Sequence, residues 1–135
     1  MVGLLVVCHC NLAQELIETA ELIVGKIEQC SGLSMDTRYS VEELRSMMAA
    51  RLKELDDGDG VLILTDMFGG TPSNISLSFL DKSNIEIISG VNLPMLIKFV
   101  NLRDSKSLVA LAPTIREYGQ RNIVLASRFM DTDRK

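Results

Sequence analysis

Apolar residues fall along this chain in two kinds of segment that alternate, short unbroken runs and longer stretches with helical spacing. Val2 to Cys8 is an unbroken run around Gly3, as in a strand buried on both faces of a parallel sheet. Asn11 then reads as an N-cap with Gln14 at the third helical position, followed by Leu12, Leu16, Ile17, Ala20, Ile23 and Val24 at helical spacing up to Gly25. Residues 27–35 alternate weakly through Ile27, Leu33 and Met35 and read as a second strand. Ser40 and Glu43 form a capping box, and Leu44, Met47, Met48, Leu52 and Leu55 mark a helix that ends in the acidic turn Asp56-Asp57-Gly58-Asp59-Gly60. Val61 to Leu64 is the third strand, about 72–80 the third helix, and Ile85 to Ile88 the fourth strand. The turn Ser89-Gly90-Val91-Asn92-Leu93-Pro94 opens a helix through about Leu102. Ser105 or Ser107 starts the last helix, with Leu108, Leu111, Ile115 and Tyr118 on one side and Pro113 predicted to kink or split it. Ile123 to Ala126 reads as a final short strand.

Strands alternating with helices predict an α/β fold of three layers, a mainly parallel sheet flanked by helices. At 135 residues the chain is expected to be a single domain spanning residues 1–135. The short chain favours the strand order 2-1-3-4, whose switch point lies between strands 1 and 3, where such sheets bind ligands. His9 ends strand 1 and Asp66 follows strand 3. Neighbouring strands lie about 4.8 Å apart, so the two are expected side by side at one crevice.

Composition narrows the functional classes. Hydrophobic residues make up 47% of the chain, which excludes disorder, and a net charge of −4 argues against nucleic acid or an anionic membrane surface as partner. No apolar run approaches the roughly 20 residues needed to cross a bilayer. The start Met1-Val2-Gly3-Leu4-Leu5 enters a strand directly and is not a signal peptide. Three unevenly spaced cysteines make no disulfide framework, so a cytoplasmic protein is expected.

The candidate chemistry gathers at Thr65-Asp66-Met67-Phe68-Gly69-Gly70-Thr71-Pro72-Ser73-Asn74. This strand-to-helix turn places an acid at the strand end, glycines that admit close backbone approach, and a helix start predicted to have Thr71 as N-cap and Pro72 at the first position. Free N–H groups there attract an anion, which an adjacent carboxylate repels, so Asp66 makes more sense as the orienter of the only histidine, His9. An imidazole held at Nδ1 leaves Nε2 free as a nucleophile toward phosphorus. Cys8-His9-Cys10 does not read as a metal site, because alternate strand residues point to opposite faces. No P-loop lysine accompanies the turn, so ATP binding has no support and no cofactor is expected.

The strand ending in His9, the Thr65–Asn74 stretch and Gly90-Val91-Asn92-Leu93-Pro94-Met95-Leu96 resemble the IIA component of mannose-type sugar phosphotransferase systems, from Val2 to about Leu102 and more loosely to Arg128. The resemblance implies a phosphotransferase component in which His9 is phosphorylated at Nε2 by the phosphohistidine of the carrier HPr. The group then passes to a IIB protein, expected as a separate chain, and on to sugar entering through membrane IIC and IID partners. Asp66 would orient His9, while Thr71 and the backbone around Gly69, Gly70 and Ser73 would hold the phosphoryl oxygens. Met67, Phe68 and Asn92 are the expected partner contacts. The family also implies a homodimer in which the C-terminal strand is exchanged. Cys10 departs from the small residue common after the histidine. Two other readings remain open at this point: a IIA-like phosphotransfer subunit of a dihydroxyacetone kinase, and a non-enzymatic anion-binding regulatory module.

Overall fold

In the computed structural model, which describes residues 1–82 and 84–130, the first apolar run becomes an interior strand of a four-stranded parallel sheet. The elements in order are β1 (Gly3–His9), α1 (Leu12–Val24), β2 (Cys30–Met35), α2 (Val41–Leu55), β3 (Val61–Thr65), α3 (Thr71–Leu77), β4 (Ile85–Ser89), α4 (Leu93–Leu102), α5 (Leu108–Arg121) and α6 (Ala126–Met130). The strands lie in the order β2-β1-β3-β4, as the pattern predicted. Register pairs Val7 with Thr65 across β1 and β3, and His9 with Met35 across β1 and β2.

The two-residue period of the strands sorts the core into two layers. Leu4, Val6, Cys8, Leu62 and Leu64 pack with α1, α4 and α5 on one face. Leu5, Val7, Leu33, Met35 and Ile63 pack with α2 and α3 on the other. Apolar side chains on both faces explain why β1 and β3 read as unbroken runs rather than alternating ones.

Caps and boundaries follow the local chemistry with some differences from the expectation. Ser40 and Glu43 form the full capping box of α2, and Ser107, rather than Ser105, caps α5. Asn11 precedes α1 but makes no cap bond; its amide reaches Glu15 instead, at 3.2 Å. The cap of α3 is Gly70, one residue earlier than expected, with Thr71 already helical and the helix ending at Leu77. Pro113 lies inside α5 without splitting it. The hydrogen bond it forgoes would run to the carbonyl of Val109, a residue 81% exposed, where water can replace the donor.

The predicted strand Ile123–Ala126 is corrected. Residues 123–125 lie outside the sheet and Ala126–Met130 is a short helix. The apolar, β-branched composition that suggested a strand is present, but a strand needs a partner edge, and this segment pairs with none among the described residues.

One anchor had no sequence signal. Arg103, at the end of α4, is 5% exposed and donates to the carbonyls of Val2 (2.6 and 3.1 Å), Glu28 (2.6 Å) and Gln29 (3.2 Å). Its guanidinium lies 4.9 Å from the Phe99 ring centre. The clamp joins the start of β1 to the start of β2, at the end of the sheet opposite His9. Arg103→Met keeps the apolar stem but strands the buried carbonyl of Val2 and takes a charged donor from those of Glu28 and Gln29, so it is expected to destabilise the fold by about 3 kcal/mol. Urea unfolding followed by circular dichroism measures this, and an unchanged midpoint would show that the clamp contributes nothing.

A candidate histidine–aspartate site at the switch point

Because β1 and β3 are adjacent and parallel, their C-terminal ends meet at one edge of the sheet. His9 is the last residue of β1, and Asp66 follows the last residue of β3. The two carboxylate oxygens divide their work. Oδ2 accepts the backbone N–H of His9 at 2.9 Å and lies 2.8 Å from Nδ1 of the same residue, while Oδ1 accepts the N–H of Met67 at 3.0 Å. An ionised carboxylate only accepts hydrogen bonds, so Nδ1 carries the proton and the Nε2 lone pair of the neutral ring is free. Burial alone would raise the Asp66 pKa, but the His9 backbone N–H, the imidazole and the Met67 N–H outweigh it and hold the carboxyl below its usual range. The acid is therefore ionised at neutral pH and keeps its grip until the pH falls through that lowered value.

The other edge of the ring faces the turn into α3. Gly69 has φ +88°, the left-handed region that favours glycine. A Cβ on Gly70 would stand 3.0 Å from Cε1 and 3.6 Å from Nε2 of His9, so any side chain there would crowd the ring. Pro72 has no N–H, which leaves the backbone donors of Thr71 and Ser73 in the first turn of α3. The His9 side chain is 46% exposed and the Asp66 side chain 13%, an open nucleophile over a sheltered orienter. His9 and Thr71 line one end of a pocket of about 230 Å³ whose walls include Met35, Tyr39, Val41 and Leu44.

The other expected site residues fall into place differently. Ser73 is fully buried, and its hydroxyl lies 3.2 Å from that of Ser89, so the hydroxyl faces the sheet and only its backbone points toward the turn. Asn92 is committed to structure: its side chain caps α4 by accepting the Met95 N–H and donates to the Gly119 carbonyl at 3.0 Å. Met67 and Phe68 are 55% and 75% exposed. Cys8 is buried and its thiol is pushed up to about 12 by desolvation, as is that of Cys30, whereas Cys10 is exposed. Cys10 takes a left-handed φ of +50°, and its carbonyl accepts the Ser34 hydroxyl. Ser34 had no sequence signal, since nothing in a weakly alternating strand marks which polar side chain will reach the end of its neighbour.

With this geometry in view, comparison with known proteins identifies the group. The family profile described as EIIA-man, PTS system fructose IIA component, matches residues 3–116, and the chain belongs to that family. The chain is 35% identical over 116 residues to the mannose-specific EIIAB component of the phosphotransferase system of Escherichia coli (strain K12), covering 82% of this chain but only 36% of that protein. It thus spans about a third of that relative's length. The fructose-specific EIIA component of Bacillus subtilis (strain 168) is 25% identical over 132 residues, covering 97% of this chain and 90% of that protein. Among solved structures, the PTS IIA protein associated with the fucose utilization operon of Streptococcus pneumoniae superposes with a TM-score of 0.85 at 28% identity, covering 96% of this chain and 99% of that one.

Proposed function

We propose that this chain is a phosphoryl carrier whose reactive group is His9. The observation that carries the reading is the division of the imidazole: Asp66 Oδ2 lies 2.8 Å from Nδ1, while the Nε2 edge faces Gly70 and the start of α3. The Nε2 lone pair attacks the phosphorus of a phosphohistidine on the carrier HPr, the N–P bond of the donor breaks, and the electron pair returns to the donor's ring. In the reverse sense, phospho-His9 gives the group to a histidine of a IIB protein, which serves sugar entry through membrane IIC and IID components or regulation. Thr71 and the backbone at Gly69, Gly70 and Ser73 would hold the phosphoryl oxygens as charge gathers on them. Asp66 stabilises the positive charge that the ring acquires when Nε2 is substituted. Both ends store the group as a similar phosphoramidate, so the transfer has no need of a metal or other cofactor. Exposed Met67 and Phe68 beside the site suit a docking protein's apolar face. The proposed donor resides in the cytoplasm, which supports a cytoplasmic location.

Family membership and the position of the pair favour this reading over a passive anion-binding module. Incubation with phosphoenolpyruvate, enzyme I and HPr is expected to label His9 alone, as an acid-labile, base-stable adduct located by mass spectrometry. Asp66→Asn, which loses the carboxylate at Nδ1 and Met67, should slow transfer about 10²-fold or more while leaving the fold intact. Undiminished label in His9→Ala, or wild-type transfer in Asp66→Asn, would contradict the assignment, as would labelling by ATP and magnesium in place of phospho-HPr.

The same reading includes a homodimer formed through the C-terminal segment. Ile123, Val124 and Leu125 are 77%, 57% and 66% exposed in the single chain. The outer edge of β4 is bordered by an apolar pocket of about 300 Å³ lined by residues that include Phe68, Leu77, Ile87 and Met95. A strand from a second copy would cover that edge and bury this segment together. Light scattering of the full chain and of a form lacking residues 121–135 tests it: a dimer that becomes a monomer is expected, and a monomeric full chain or a dimeric truncation would count against it.

A further inference from the structure

Three hydroxyl groups form a chain that the proposed reaction does not directly use. Thr65 Oγ1 donates to Ser89 Oγ at 2.8 Å, and Ser89 Oγ lies 3.2 Å from Ser73 Oγ. Thr65 and Ser73 are fully buried. A hydroxyl has one proton and two lone pairs, so Ser89 can accept from Thr65 and still bond Ser73 in either direction. Nothing about packing requires three hydroxyls here; the same space on these strand ends and this helix would accept apolar side chains without any group to satisfy.

Their placement gives the chain a role. Thr65 is the residue directly before Asp66, and it pairs in register with Ser89 across β3 and β4. Its carbonyl also accepts the N–H groups of Gly90 and Val91, both at 3.0 Å, which fixes this strand end firmly. Ser73 lies two residues beyond Thr71, in the first turn of α3. Among the described residues, the bond from Ser73 to Ser89 is the one side-chain hydrogen bond that ties this turn to the sheet. The two edges of the imidazole therefore face the two ends of one turn: Asp66 at its start, bonded at Nδ1, and Gly70, four residues on where α3 begins, toward Nε2. Ser89 braces this turn from outside, joining Thr65 just before it to Ser73 just after it.

We infer that Ser89 is a positioning residue, which sets the distance between the Gly70–Thr71 turn and the Asp66-held ring of His9 through the hydroxyls of Thr65 and Ser73. This rests on the phosphoryl-carrier reading above. Loss of the bridge would let the turn shift against the ring, and displacement of a positioned donor by a fraction of an ångström is enough to slow a transfer. The hold of Asp66 on Nδ1 belongs to β1 and β3 and would survive.

The test uses two variants of equal shape, Ser89→Thr, which keeps the hydroxyl, and Ser89→Val, which lacks it. Ser89 also borders the pocket along β4, so the added methyl group has room. Potassium phosphoramidate, a small phosphoryl donor to imidazole, is applied to each full chain at a temperature where circular dichroism shows it folded, and the rate of labelling at His9 is read by mass spectrometry. Ser89→Thr is expected within about twofold of wild type and Ser89→Val about tenfold slower, with the Nδ1–H signal of His9 unchanged in both by NMR. Equal rates for the two variants, whether fast or slow, would overturn the inference, as would a lost Nδ1–H signal. Should Ser89→Val not fold, Ser73→Ala removes the same bond from its other end and is judged by the same rate. Wild-type labelling by phosphoramidate but none by phospho-HPr would overturn the proposed function and leave the positioning role standing; no labelling of His9 by either would overturn both.

Discussion

The carboxylate of Asp66 is the constraint on which the site depends. One of its oxygens receives both the backbone N–H and the Nδ1 edge of His9, and the other receives the N–H of Met67. It therefore stitches the end of β1 to the end of β3 and at the same moment chooses the tautomer of the ring. Three donors directed at one carboxylate offset the cost of its partial burial, which is why the acid is ionised at neutral pH. A ring without this hold could turn about its side-chain bonds and offer either nitrogen.

The remainder of the molecule keeps those two strand ends in place. Apolar layers on both faces fix β1 against β3, and Arg103 secures the far end of the sheet by gathering carbonyls from Val2, Glu28 and Gln29. Gly70 lets the backbone reach the Nε2 edge, and the hydroxyls of Thr65, Ser89 and Ser73 join that turn to the strand carrying Asp66. Exposed Met67 and Phe68 lie within the same turn, so the segment that meets the ring also presents an apolar face to solvent. The proposed role as a carrier that receives and surrenders its cargo would need this combination of a rigid ring and an open approach.

Much of this could be read from the sequence, for physical reasons. The strands were legible because β1 and β3 are apolar on both faces, and the pairing of His9 with Asp66 followed from strand order alone. The errors lie where local pattern is too short to decide. In a helix of seven residues the periodicity is too brief to tell an inward side chain from an outward one, so nothing in the sequence showed that the Ser73 hydroxyl faces the sheet, leaving only its backbone for the turn. Thr71 was expected as the cap, but the extended backbone falls at Gly70 and helical geometry begins one residue sooner. For Asn92, expected as a partner contact, the sequence did not show the structural bonds its side chain makes to the start of α4 and to Gly119. The segment from Ile123 has strand-like composition but joins no strand among the described residues. Arg103 was invisible because nothing in a helix-terminal arginine tells which distant carbonyls it will meet.

The central claim is that the Asp66 contact reserves Nε2 of His9 for the phosphoryl group. It is tested most directly by NMR of the phosphorylated protein with 15N-labelled histidine, where coupling to phosphorus identifies the substituted nitrogen. The account predicts phosphorus on Nε2, with Nδ1 still protonated and hydrogen-bonded to Asp66. Phosphorus on Nδ1 would contradict it.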